Sequence, residues 1–426
     1  MLAGAGAWAA AVAPASWAQF RIEISGVGAT QLPIAVATFR QVGEPPPADV
    51  AAIVRANLER SGVFRASSPP AAIDETTQPS LPEWRAQNVD ALVAGTVQRG
   101  GDGRFEVRYK LWDTVRNEEL LGRSRLVLAA DLRLAAHKIA DEIHLKLTGE
   151  RAVNATRIAY VLRQGKRYTL NITDADGENG QVALASSEAI ISPAWAPDGR
   201  QLAYVSFETG KAAVWVQDVL SGQRRMVANF RGSNSAPAFS PDGRTLAVAL
   251  SQGGLTQLHS IPAAGGAATR LTNSNAIDTE PVYSADGRFI YFVSDRGGGP
   301  QIYRIEAAGG PATRITFEGD YNISPSLSPD GRLLAFVGRQ GSAFRLMTQE
   351  LDGGSVRSLT DTRDDERPSF APNGRLIVYA TRMQGADTLM TTTLDGKIKT
   401  RLATSGADMR EPAWGPFGEP DAPTRR

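Results

Sequence analysis

The sequence predicts a multi-domain, mainly β protein, with an N-terminal α/β domain followed by a six-bladed β-propeller closed by a C-terminal clasp strand. Three observations predict it. A phrase of proline, apolar residue and tight turn recurs six times at a nearly constant interval. The first third of the chain lacks that phrase and alternates strand with helix. The two ends of the repeating part lack complementary pieces of a single unit.

Read by its glycine, the phrase falls at Gly199, Gly243, Gly287, Gly331, Gly374 and Gly418, in steps of 44, 44, 44, 43 and 44 residues. The leading prolines, Pro193, Pro237, Pro281, Pro325, Pro368 and Pro412, keep the same steps, and two residues after each stands Trp195, Phe239, Tyr283, Leu327, Phe370 or Trp414. A period of about 40–45 residues is that of a propeller blade. Ser240-Pro241-Asp242-Gly243 has the chemistry of a tight turn, because proline presets φ, aspartate suits the next position and glycine accepts the left-handed one. Alternating runs such as Leu202-Ala203-Tyr204-Val205 follow the turn and read as its second strand. Asp198, Asp242, Asp286 and Asp330 are turn residues, since copies at blade spacing lie apart on a ring and cannot share one substrate.

The α/β domain is placed at residues 19–150 with a mobile N-terminal segment. Pro33 to Phe39 is a strand candidate, and Gly43 to Pro47 breaks it before a helix that carries Val50, Ile53, Val54 and Leu58 on one face and stops at Gly62. The proline-rich stretch from Ser67 to Pro82 is expected to be an exposed loop. Asp90 to Val97 supplies a strand, Phe105, Val107, Tyr109 and Leu111 alternate in another, and Leu120 to Leu128 pairs with it. A helix from Asp131 to Leu147 buries Leu132, Ala136, Ile139, Ile143 and Leu147 and ends at Gly149.

The propeller is placed at 156–418, followed by a tail at 419–426. Its first three strand-like runs, Arg157 to Leu162, Tyr168 to Asp174 and Gln181 to Ala185, have no proline strand before them, while Pro412-Ala413-Trp414 has no strands after it. The two ends therefore combine into one blade. Closure removes free sheet edges.

With 42% apolar residues the 426-residue chain has material for two or three cores. A net charge of +1 argues against a general nucleic-acid binder, and the absence of cysteine excludes disulfides and thiolate metal sites. Residues 1–18 carry no charge and are dominated by alanine, glycine and tryptophan, which reads as an export signal cleaved before Gln19. No other stretch is long enough to cross a bilayer.

No catalytic or metal-binding constellation emerges. His137 and His144, seven residues apart on the second long helix, are expected at its solvent side or flank, and His259 has no Gly-x-Ser-x-Gly elbow to serve. The run from Asp174 to Gly180 fails as a calcium loop, with Asn179 where glycine is needed and Ala185 where glutamate is needed. No cofactor is expected. What remains is the ring face onto which the loops before the prolines emerge. There Ser192, Ala236, Glu280, Ser324, Arg367 and Glu411 surround the channel mouth, with Asn234, Asp278, Thr279, Asn322, Asp364, Asp365, Glu366 and Arg410 leading into it. Polar and mixed in charge, this mouth suits a protein or peptide partner.

The chain resembles the TolB family of the Tol-Pal cell-envelope system of Gram-negative bacteria. The resemblance rests on the export signal, the α/β domain, the phrases Thr156-Arg157-Ile158-Ala159-Tyr160-Val161, Ser192 to Gly199 and Thr279-Glu280-Pro281, and the clasp strand. It implies a monomeric, non-enzymatic periplasmic scaffold that supports outer-membrane integrity and envelope constriction during cell division. The implied partners are the lipoprotein Pal at the channel mouth, the TolA C-terminal domain at the N-terminal segment and, in some species, colicins. Carried over by motif, the Pal face is Asn234, Asp278, Thr279, Glu280, Asn322, Glu366 and Glu411. The TolA segment is Phe20, Arg21, Ile22, Glu23 and Ile24. The rival readings are a periplasmic hydrolase or lyase with its site in the channel, which needs channel carboxylates or a metal, and a glycan-binding propeller, which needs aromatic residues at the mouth.

Overall fold

The computed structural model describes residues 31–69, 73–403 and 408–418. The expected export signal, the segment from Phe20 to Ile24 and the tail at 419–426 lie outside the described residues.

The N-terminal domain contains strands β1 (Leu32–Val36), β2 (Arg40–Val42), β3 (Phe64–Ser67), β4 (Ala91–Arg99), β5 (Phe105–Asp113) and β6 (Glu118–Val127), with helices α1 (Val50–Arg60), α2 (Leu81–Ala86) and α3 (Leu132–Thr148). The sheet order is β3-β1-β4-β5-β6, with β2 also beside β4. β1 runs parallel to β3 and β4, whereas β4, β5 and β6 form an antiparallel meander. α1 starts where Asp49 accepts the Ala52 amide at 3.0 Å, and α3 stops at left-handed Gly149, whose N–H bonds the Leu145 carbonyl at 2.8 Å. Leu132, Ala136, Ile139 and Ile143 of α3 and Val54 and Leu58 of α1 are fully buried against Val93, Val107 and Leu111 of the sheet. Each such aliphatic side chain contributes about 1.5–3 kcal/mol by leaving water.

The stretch after β3 departs from the expected exposed loop. Ile73, Asp74 and Glu75 are buried, and Leu81 already begins α2. Asp74 gathers the hydroxyls of Thr76 and Thr77 and the Arg40 guanidinium, which satisfies the carboxylate and lets this polar stretch fold against the sheet.

Among the described residues, six four-stranded antiparallel sheets form the propeller. Five are continuous in sequence, and the sixth takes Met409–Trp414 as its inner strand against Arg157–Gln164, Arg167–Asp174 and Gln181–Ser186. Numbered from residue 190, blades 1 to 5 begin at Ile190, Asn234, Asp278, Asn322 and Glu366, and the clasped blade is blade 6. The clasp is tied inward by the Trp414 indole N–H, which donates to the Thr156 hydroxyl at 2.8 Å. The Asp242 turn is locked locally: the Ser240 hydroxyl donates to Asp242 at 2.5 Å and the Arg244 amide to the same oxygen at 3.0 Å. Asp286 and Asp330 repeat the arrangement.

Candidate binding mouth and the domain interface

A regular strand alternates its side chains, so residues one and three positions before a blade proline would share a face. They do not. In every blade the pairing register shifts at this point, as between Thr279 and Val282. The residue before the proline takes a left-handed backbone: φ is 54° at Ser192, 48° at Ala236, 50° at Glu280, 54° at Ser324, 49° at Arg367 and 55° at Glu411. A β-bulge re-aims a side chain. Here it turns six side chains into the channel, a cavity of about 210 Å³ that all six line.

These groups are knitted across blades. Glu280 accepts the Ser324 amide of the next blade at 2.7 Å, and Glu411 accepts the Ser192 amide at 3.2 Å. Arg367 pairs with Glu411 at 2.8 Å and reaches past it to the Ser192 hydroxyl at 2.6 Å. Burial alone would lower the pKa of the Arg367 guanidinium, but Glu411, Glu280 and Glu366 outweigh it and raise the value. Although Glu366 as a residue is exposed, its carboxyl is pushed up by partial desolvation, with Arg410 opposing and Asp387 and Glu411 adding to the rise.

Of the residues expected at this face, Glu366 is exposed and Thr279, Glu280 and Glu411 are half-buried. Asn234, Asp278 and Asn322 correct the expectation of exposure, at 0%, 0% and 2% accessible. They occupy the position three before the proline, which the bulge directs into the blade. Asn234 donates to the carbonyls of Ala212, Phe230 and Gly232 and accepts the Phe230 amide. Asp278 takes the Arg296 guanidinium at 2.8 Å and the Ser274 hydroxyl at 2.9 Å, and Asn322 donates to Gln301 and to the Glu318 carbonyl. Outside the ring, the same face exposes Leu255, Ile277 and Phe317, the last 71% accessible.

The α/β domain packs on the opposite side, against the turns of blades 5 and 6. His137 and His144 are buried there at 1% and 5% accessible, correcting their expected solvent position. The signal was legible as a polar stripe on α3, Arg133, His137, Asp141 and His144, recurring at intervals of four, four and three residues. Arg133 donates to Asp176 at 2.7 Å and lies 3.6 Å from Asp174. Asp141 accepts the Asn154 amide at 3.0 Å, its side chain at 2.8 Å and the Ala155 amide at 3.0 Å, clamping the linker into the propeller.

Within this contact the His137, Asp174 and Asp176 ligand atoms lie within 4.8 Å of one another, a spacing of the kind that can hold a metal ion. The donor set does not fit one. Arg60 donates to the Asn57 oxygen at 3.0 Å, which leaves the Asn57 amide nitrogen to donate to His137 Nδ1 at 2.7 Å. A neutral His137 therefore carries its proton on Nε2, the atom aimed at Asp174 from 3.5 Å. Arg133 already lies against both carboxylates, and Arg60 adds a second positive charge in the field of Asp176.

The TolB amino-terminal domain profile matches residues 20–120, and the TolB beta propeller domain profile (PD40) matches residues 144–418. The Tol-Pal system protein TolB of Albidiferax ferrireducens is 59% identical over 220 residues, 51% of this chain and 52% of that protein. That of Polaromonas naphthalenivorans is 58% identical over 222 residues, 52% of each. The chain thus spans about half the length of these curated relatives in the matched region. The crystal structure of TolB from Acinetobacter baumannii superposes with a TM-score of 0.84 at 38% identity, covering 91% of this chain and 97% of that one. A chain of a nidogen/laminin complex, at 12% identity and a TM-score of 0.51, shares the propeller fold alone, over 61% of this chain and 98% of that one. With profiles matching both domains and a solved relative matching nearly end to end, the chain belongs to the TolB family of the Tol-Pal system.

Proposed function

We propose that the chain is a periplasmic, non-enzymatic scaffold that binds the lipoprotein Pal at the channel mouth and the TolA C-terminal domain through Phe20 to Ile24. Membership of the Tol-Pal system makes protein partners the expected ligands. The observation that carries the reading is the bulged ring, in which six blades each hold a left-handed, non-glycine residue at the mouth. Backbone strain of this kind costs about 1–3 kcal/mol per residue and concentrates at ligand clamps. Glu280 and Glu411 are each committed to a backbone amide of the next blade, which suits a rigid recognition surface better than a proton-transfer site. Export, support of the outer membrane during division and exploitation by colicins belong to the same reading.

The test is titration of the mature chain with a soluble form of the lipoprotein. Glu366→Lys and Glu280→Lys should each weaken binding about tenfold or more through reversed charge at the rim. Asp242→Ala, on the far side of the ring, should leave affinity unchanged. Undiminished binding in both mouth variants, or a loss confined to Asp242→Ala, would place the partner elsewhere. Deleting residues 19–26 should abolish TolA binding and spare the lipoprotein, and retained TolA binding would reject that segment's role.

A further inference from the structure

His144 sits where three parts of the molecule meet. Its ring packs edge-on against Phe64 of β3, centroids 5.4 Å apart, and its Nδ1 lies 3.0 Å from the Glu150 carbonyl of the linker and 3.1 Å from the Thr148 hydroxyl. The Glu150 carboxylate in turn pairs with Arg375 on the inner turn of blade 5. Beside this contact a crevice of about 270 Å³ opens between linker and blade, lined by Glu150, Arg151, Asn373, Arg375 and Phe417.

The charged groups facing the ring are Asp141 from its own helix, Glu150 from the linker and Arg375 from the propeller, while β3 presents only the Phe64 ring. Burial lowers the ring's pKa below its ordinary value, with Asp141 and Glu150 opposing and Arg375 reinforcing the fall. His137, two turns earlier on α3, faces Asn57 of α1 and Asp174 and Asp176 of blade 6.

We propose that the contact between α3, the linker and blade 5 is an acid-sensitive latch, seated while His144 is neutral and loosened when it is protonated. A charged ring must regain water, and parting the blade 5 turn from the linker and the end of α3, along the existing crevice, opens a path for water toward it without breaking the sheet. The sign follows from linkage. With a folded-state pKa below the unfolded one of about 6.5, the latch's stability is fully present above that pH and is lost as pH falls through the folded value. Asp141 works in the opposite sense: burial raises its carboxyl, so its contribution is full below the ordinary value and lost as pH rises through the folded one. It therefore cannot be the cause of loosening in acid.

The chain has no cysteine, so Lys146→Cys on α3 and Lys397→Cys on blade 5 give a unique spin-label pair. Between about pH 7.5 and about pH 5.5, the short-distance population should fall about twofold or more, and His144→Gln should hold it constant. An unchanged distribution in the otherwise native chain, or the same acid response in His144→Gln, would overturn the latch. Should His144→Gln not fold, NMR titration of the native ring decides: a midpoint below about 6.5 supports the latch, and one at or above it overturns it.

Discussion

Asn234 has no access to water; its two amide N–H groups are shared among three carbonyls and its oxygen accepts the Phe230 amide. Removing it strands buried partners, so Asn234→Ala should cost about 2–3 kcal/mol, read as a lower denaturation midpoint at unchanged slope. Partner affinity of the folded fraction should not change, which separates this residue from Glu280, which lies two positions after Asp278, the equivalent of Asn234 in the next blade. The sequence placed both residues beside the blade prolines correctly but could not orient them. Alternation puts positions two apart on one face, and only the bulge sends Asn234, Asp278 and Asn322 into the blades and Ala236, Glu280 and Ser324 into the channel. A bulge has no dependable sequence mark here, because a left-handed backbone was not expected at a non-glycine residue preceding proline.

At the scale of elements, ring closure depends on the clasp strand and the contact between domains on α3. Met409 and Trp414 are buried at 0% and 7% accessible, and deleting residues 409–426 uncovers the inner edge of blade 6. The truncated protein should lose cooperative melting, and a transition within a few degrees of the full chain would contradict closure. A milder probe is Thr156→Val, which keeps the side-chain shape and leaves the buried Trp414 N–H without its acceptor, at a cost of about 1–3 kcal/mol. Blade count, clasp and the apolar stripe of α3 were all legible, since period and turn chemistry act locally. The polar stripe of α3 was visible too, but its partners lie in another domain. No local rule says that Asp174 and Asp176, whose run reads as a failed calcium loop, would face it.

At the scale of the whole molecule, the two domains meet through buried polar groups as well as apolar packing. Arg133→Ala removes the nearest cation from Asp174 and Asp176, whose side chains are 12% and 9% accessible, and should cost about 2–4 kcal/mol, somewhat less than a fully buried pair because Arg133 is 26% accessible. Calorimetry should then resolve two transitions where a single one is expected for the native chain, and a single transition at the native temperature would show that the contact does not couple the domains. The clasped blade also orders events in time. Thr156 and Trp414 are 258 residues apart in sequence yet hydrogen-bonded in space, and bringing such distant points together costs chain entropy of about 5 kcal/mol on the logarithmic scaling of loop closure. A chain emerging from its N-terminus makes the outer three strands of blade 6 first and their inner partner last. Until that final strand arrives, the nascent ring holds open edges at both ends, and sealing it is the last step of assembly.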